Sequence, residues 1–89
     1  HMFARLKWGT SSATTGFTTL TGFIIQETAG ATAEVSFRDA ASGTIMFALN
    51  LAANETVGEQ FGENPVMAPT TAFYLSVDSG TVLWTAFGK

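Results

Sequence analysis

The stretch ATAEVSFRDAASGTIMFALNL, residues 31–51, decides the fold of this chain. Ala33, Val35 and Phe37 alternate with polar residues, which is the pattern of a strand with one buried face. The following DAASG, residues 39–43, predicts a hairpin turn in which Gly43 supplies a positive φ. The returning strand, residues 44–51, places four apolar side chains on its inner face: Ile45, Phe47, Leu49 and Leu51.

Further strands are predicted on both sides of this hairpin. Upstream, residues 3–8 and 17–28 have strand-like composition, and downstream so do residues 55–62, 71–77 and 81–87. The turn Asp-Ser-Gly at residues 78–80 predicts a second hairpin that ends the chain. Short strands at this spacing, without helical periodicity, predict an all-β fold. We expect a small antiparallel β-sandwich or jelly-roll-like barrel of six to seven strands.

The chain is predicted to divide into two parts. Residues 1–16 would form an N-terminal arm and a Ser/Thr/Gly linker, because GTSSATTG at 9–16 has loop composition. Residues 17–89 would form the β-sandwich domain. Phe3, Leu6 and Trp8 precede the linker and are candidate contacts with a neighbouring subunit. Tyr74 is a fourth candidate, because it alternates with the apolar residues beside it and is expected to point outward.

The composition favours self-association. The 89 residues form one domain, which buries only about 60–65% of its unfolded surface. Hydrophobic residues make up 46% of the chain and charged residues 12%, against roughly 25% charged in an average domain. The chain has no Cys for disulfides or for a structural zinc site. We therefore expect a homo-oligomer.

Several classes of partner are not expected. The four basic residues form no cluster, which argues against binding of nucleic acid. No apolar run approaches the ~20 residues of a membrane-spanning helix, so we expect no membrane association. Nor does the start of the chain have the pattern of a signal peptide.

Catalysis is not expected either. Glu55, Glu59 and Glu63 are the densest carboxylates, but this spacing shares a face only on a helix, and the glycines among them oppose one. Asp39 and Asp78 each begin a turn that ends in Gly, and are expected to cap backbone N–H groups of those turns. The only His is at residue 1, and no nucleophile motif is present. We predict no enzyme, no catalytic residue, no metal and no cofactor.

Three segments together resemble a known class of proteins: ATAEVSFRDAASGTIMFALNLAANETVGEQFG at 31–62, ENPVMAP at 63–69 and TAFYLSVDSGTVLWTAFGK at 71–89. Over about residues 22–88 the order of strands and turns is similar to that of the small all-β virion structural proteins of tailed bacteriophages. The resemblance implies a protein of the virion that decorates or cements the capsid. It implies a homotrimer whose partner is the major capsid protein or another virion component, and Phe3, Leu6, Trp8 and Tyr74, chosen above from their positions, are the candidate contacts.

A carbohydrate- or receptor-binding β-sandwich module is the alternative. Trp8, Trp84 and Tyr74 are amphipathic aromatics of the kind that stack on sugars, and the loop around Asn64 and Pro65 would contribute to such a site. Trp84 has the phase of Val82 and is expected in the core rather than on the surface.

Overall fold

The computed structural model describes residues 5–68 and 70–89, and in these ranges every regular element is a strand. The all-β sandwich predicted from the sequence is confirmed, with nine strands rather than six or seven. Two of the nine, β2 and β7, are only two residues long. The strands are β1 (Arg5–Gly9), β2 (Ala13–Thr14), β3 (Thr19–Glu27), β4 (Ala33–Asp39), β5 (Ile45–Leu51), β6 (Thr56–Gln60), β7 (Val66–Met67), β8 (Phe73–Ser79) and β9 (Val82–Gly88).

The strands form two antiparallel sheets. Sheet 1 has the order β1-β9-β3-β6, and β7 pairs with β3 beyond the end of β6. Sheet 2 has the order β2-β8-β4-β5. The inner faces of both sheets contribute alternate apolar side chains to one core, as in other sandwiches.

Aromatic rings fill the centre of this core. Phe37 is fully buried and lies between Phe47, with ring centroids 4.9 Å apart and stacked, and Phe73, 6.3 Å away and edge-on. Phe23 of sheet 1 reaches the same cluster, 5.3 Å from Phe37. Offset and edge-on arrangements of this kind are favourable for aromatic pairs, so the cluster joins the two sheets.

The hairpin of β4 and β5 is confirmed, but its details differ from the sequence prediction. Phe37 pairs with Phe47 while Arg38 pairs with Ile45, so Met46 is an extra residue in a β-bulge. The bulge reverses the phase, and Ile45 is therefore exposed while Met46 packs against the core. In the turn, the positive φ occurs at Ala40 and not at the glycine.

Glycine is nevertheless required at position 43 for another reason. A Cβ atom there would lie 1.6 Å from the carbonyl oxygen of Asp39, so the close approach of the two backbones excludes any side chain.

The predicted second hairpin at residues 78–80 is wrong. β8 belongs to sheet 2 and β9 to sheet 1, so the chain crosses between the sheets at this turn. Gly80 has a φ of +82°, and a Cβ atom on it would lie 2.6 Å from the carbonyl oxygen of Thr32. Gly80 thus allows a crossing that other residues would obstruct.

Residues 5–16, predicted as part of an arm and linker, contribute one strand to each sheet. β1 pairs with β9 in sheet 1, and β2 pairs with β8 in sheet 2. Thr15 is buried, and its hydroxyl donates a hydrogen bond of 2.7 Å to the carbonyl oxygen of Phe73. A bonded hydroxyl of this kind is tolerated in the interior, which explains how so polar a segment is partly enclosed. Residues 1–4, which include the candidate Phe3, lie outside the described ranges.

Candidate interaction surface

Among the described residues, the strands of sheet 1 place no charged side chain on their outer face; Lys89, directly after β9, pairs through its backbone with Thr19 and lies at the border of this face. The pairing registers place thirteen residues on this face, which we call the neutral face: Leu6, Trp8, Thr19, Gly22, Ile24, Gln26, Thr56, Gly58, Gln60, Met67, Leu83, Thr85 and Phe87. All thirteen are apolar, hydroxyl-bearing, amide-bearing or glycine. A surface without charge can be dehydrated by a partner at low cost, because no ion loses its hydration.

Apolar side chains on the neutral face are well exposed. Trp8 is 63% exposed, Leu6 59% and Ile24 48%. Met67 and Leu83 on the same face are 61% and 39% exposed. Large apolar side chains gathered on one sheet face mark interaction sites more often than single scattered ones do.

The neutral face has a shallow depression at Gly22. In one row across the sheet, Leu6, Phe87, Gly22 and Gln60 are successive neighbours. Because Gly22 has no side chain, a shallow depression of about 320 Å³ opens between Phe87 and Gln60. A Cβ atom on Gly22 would lie 2.8 Å from the carbonyl oxygen of Glu59, so the strands approach too closely for a larger residue.

The charges of sheet 1 lie elsewhere. Arg5 and Lys7 are on the opposite side of β1 from Leu6 and Trp8, and Glu59 has the same inward phase on β6. β1 and β6 are edge strands, and inward-pointing charges on edges oppose unwanted strand pairing.

The outer face of sheet 2 carries a polar cluster instead. Arg38 donates hydrogen bonds to Ser36 Oγ at 3.0 Å and to Asp78 Oδ1 at 3.3 Å, and Ser76 Oγ donates to the same oxygen at 2.7 Å. Partial burial raises the pKa of Asp78, but the hydroxyls of Ser76 and Ser36 and the charge of Arg38 outweigh it and lower the pKa overall. Asp78 therefore does not cap its own turn, which corrects the sequence prediction.

Two further carboxylates have structural partners. Glu27 is buried and accepts hydrogen bonds from the backbone N–H groups of Asn54 (2.7 Å), Ala29 (2.7 Å) and Gly30 (2.9 Å). The bond from Asn54, followed by those from the β3–β4 loop, lowers the pKa of Glu27 despite its burial. Sequence reasoning gave Glu27 no role, although a carboxylate just before a turn is a signal for backbone capping.

Asp39 caps a different loop from the one predicted. Its carboxylate accepts hydrogen bonds from the hydroxyls of Thr70 and Thr71 and from the backbone N–H of Thr71 at 3.0 Å. These hydrogen bonds lower the pKa of Asp39, and the bond from the Thr70 hydroxyl has the largest effect. Asp39 therefore holds the segment before β8, not the hairpin turn that follows it in sequence.

The predicted site residues fall on two separate surfaces. Leu6 and Trp8 lie on the neutral face, whereas Tyr74 lies on sheet 2 and lines another depression of about 370 Å³ with Thr14 and Thr71. Trp84 is buried, as predicted, and its Nε1 donates to the carbonyl oxygen of Ser11 at 3.0 Å. Trp8, Trp84 and Tyr74 thus form no common platform.

Besides Met67 of the short strand β7, the neutral face contains three apolar residues that sequence reasoning did not select as contacts: Ile24, Leu83 and Phe87. Each alternates with core residues of its own strand and therefore faces outward. An apolar residue at an outward position is the sequence signal that could have identified these three as contacts.

The three clustered glutamates have separate surroundings. The carboxylate of Glu55 accepts a hydrogen bond from the backbone N–H of Ala52 at 2.8 Å, Glu59 lies on the edge strand β6, and Glu63 is exposed in a loop. Within residues 5–68 and 70–89, no three His, Cys, Asp or Glu side chains are placed to hold a metal ion together.

Comparisons with protein-family models, with curated proteins and with solved structures find no match for this chain. Among the described residues no helix has the length and apolar character needed to cross a membrane.

Proposed function

We propose that this chain is a non-enzymatic structural protein of a bacteriophage virion, which decorates or cements the capsid by docking its neutral face on another virion protein. The observation that carries the docking role is the absence of charge from all thirteen positions of the neutral face. The virion setting is supported by the resemblance of residues 22–88 to small phage proteins.

The chemistry of the neutral face limits what it would bind. A nucleic acid or an anionic lipid surface is held through clusters of Lys and Arg, and the thirteen residues of the neutral face include none, with the single Lys89 at their border. A flat protein surface with apolar and amide groups matches it better. Trp8 and Leu6 would be the main contributors to affinity, because exposed large apolar side chains lose the most contact with water on docking.

The test uses shells assembled from the major capsid protein encoded in the same genome. Wild-type protein is mixed with shells, and binding is measured by co-sedimentation. Ile24→Lys places a charge at the centre of the neutral face, and we expect at least tenfold weaker binding. Ser79→Lys makes the same change of charge on an exposed position of sheet 2 and should bind like wild type.

Three results would contradict the proposal: no binding of the wild type to the shells, equal binding by both variants, or loss of binding with Ser79→Lys alone. Circular dichroism of each variant checks that the fold is unchanged.

A carbohydrate-binding module is the second candidate, supported by the depression at Gly22. There an aromatic ring, Phe87, lies beside the polar side chains of Thr21 and Gln60, a combination that suits stacking and hydrogen bonding of a sugar. A glycan array separates the two functions. Binding to a defined glycan that Gln60→Ala abolishes would favour this candidate over capsid docking.

A further inference from the structure

The four edges of the two sheets are not equally protected. In sheet 1, β1 carries the inward-phase charges of Arg5 and Lys7, and β6 carries that of Glu59. In sheet 2, the edge strand β2 is only two residues long. Short edge strands and inward charges are the usual means by which proteins prevent edge-to-edge pairing.

β5, the other edge of sheet 2, has none of these features. It runs for seven residues, IMFALNL, with no charged residue and no proline. On the side away from β4, the backbone N–H and C=O groups of β5 have no neighbouring strand among the described residues. A long, neutral, apolar edge of this kind is a template for the addition of another strand.

The core also reaches the surface at β5. Phe47 and Leu49 point between the sheets but are only partly buried. The ring of Phe47 stacks on the fully buried Phe37, with centroids 4.9 Å apart. An added strand would complete the burial of residues that already belong to the core.

We propose that β5 pairs antiparallel with β5 of a second copy, so that two copies of sheet 2 form one continuous eight-stranded sheet. In the register we infer, the two-fold axis passes beside Ala48, which then faces Ala48 of the other copy. Phe47 of each copy lies opposite Leu49 of the other, so the two partly exposed core residues cover each other. A two-fold interface requires such a self-complementary arrangement.

A second copy suits this edge because its β5 has the same uncharged residues, so no charges of the same sign face each other across the pair. Seven neutral residues facing the same seven bring no two charges together. The neighbouring edge strand of sheet 1, β6, differs because it carries the inward-phase charge of Glu59, and pairing of two β6 strands would bury such charges. Association would therefore occur through sheet 2 alone and leave the neutral face free. The proposal does not depend on capsid binding.

Disulfide cross-linking tests the register directly, because the chain has no cysteine of its own. Ala48→Cys places two thiols opposite each other across the axis, and we expect rapid formation of a covalent dimer under mild oxidation. Asn50→Cys is the matched control, exposed on the same strand. The Cα atoms at position 50 of the two copies would be about 14 Å apart, beyond the roughly 7 Å that a disulfide spans.

Sedimentation velocity over a wide range of protein concentration tests the association itself. We expect the wild type to form a dimer and Ala48→Lys to remain a monomer, since two lysines would face each other at the axis. Thr44→Lys adds the same charge outside the strand and should dimerise normally. A wild type that is monomeric or trimeric throughout, dimerisation of Ala48→Lys, or equal cross-linking of both cysteine variants would overturn the proposal.

Discussion

The carboxylate of Glu27 accepts a hydrogen bond of 2.7 Å from the backbone N–H of Asn54, and thereby joins the end of β3 to the turn between β5 and β6. Because the same carboxylate also accepts from the β3–β4 loop, one buried side chain fixes two connections at the same end of the sandwich. Asn54 has a φ of +62°, and this bond contributes to holding it in that conformation.

Replacing Glu27 by Gln should reduce stability at neutral pH. The amide retains one acceptor oxygen and presents an NH₂ group to backbone donors, so at least one partly buried N–H loses its partner. Thermal unfolding at pH 7 measures the effect. Glu34→Gln, on the outer face of sheet 2, is the control and should shift the melting temperature much less. Equal shifts would show that the bonds of Glu27 contribute little.

The stability of the wild type should fall in acid because of Glu27 and Asp39. The pKa of each is lower in the folded chain than its ordinary value, 4.5 for Glu27 and 3.8 for Asp39. Below about pH 5 the unfolded chain therefore binds protons before the folded chain does, and the free energy of unfolding decreases as the pH falls further. Urea unfolding between pH 7 and 3 should show this decrease, and Glu27→Gln should make it shallower. A parallel decrease in the variant would exclude Glu27 as a cause.

Gly80→Ala should be strongly destabilising. The variant combines a positive φ with a Cβ atom 2.6 Å from the carbonyl oxygen of Thr32, and we expect a loss of about 3 kcal/mol or more. Gly62→Ala separates the two effects, because Gly62 has a φ of +60° but no atom within 4 Å of the place that a methyl group would take. It should cost about 1 kcal/mol. Denaturant unfolding of both variants measures the difference, and similar values would mean that the contact at Thr32 relaxes freely.

The two tryptophans should report on different environments. Trp8→Phe leaves the buried Trp84, whose fluorescence should be blue-shifted and protected from acrylamide, with stability changed by no more than about 0.5 kcal/mol. Trp84→Phe leaves the exposed Trp8 and should cost about 2 kcal/mol, since it opens a cavity and removes the hydrogen bond to Ser11. Protection of Trp8 in monomeric protein would contradict its position on the neutral face.

The positions of most strands could be predicted from the sequence, but their pairing could not. The alternation of Ala33, Val35 and Phe37 identifies β4 because a two-residue period is a local property. The same period does not say which sheet a strand joins, which is why the sequence predicts a hairpin of β8 and β9 that the structure does not have. The bulge at Met46 was also invisible, since one extra residue is defined only relative to the partner strand.

The residues of the neutral face could likewise be predicted only in part from the sequence. Leu6 and Trp8 can be identified because they stand out in a polar neighbourhood of the sequence. Ile24 and Phe87 cannot, because their proximity to Trp8 and Leu6 follows from the registers of β1, β9 and β3, which bring together residues far apart along the chain.

The crossing at Gly80 has a consequence for how the chain folds. Of the strands that follow one another in sequence, among those described, only β4 and β5 pair with each other. Every other ladder joins segments separated by at least one strand, so loops must close before most pairing can begin. The β4–β5 hairpin is the one element that can form early, and we expect refolding on the scale of milliseconds to seconds. During that interval the neutral edge of β5 would be the first part of the sandwich available to another chain.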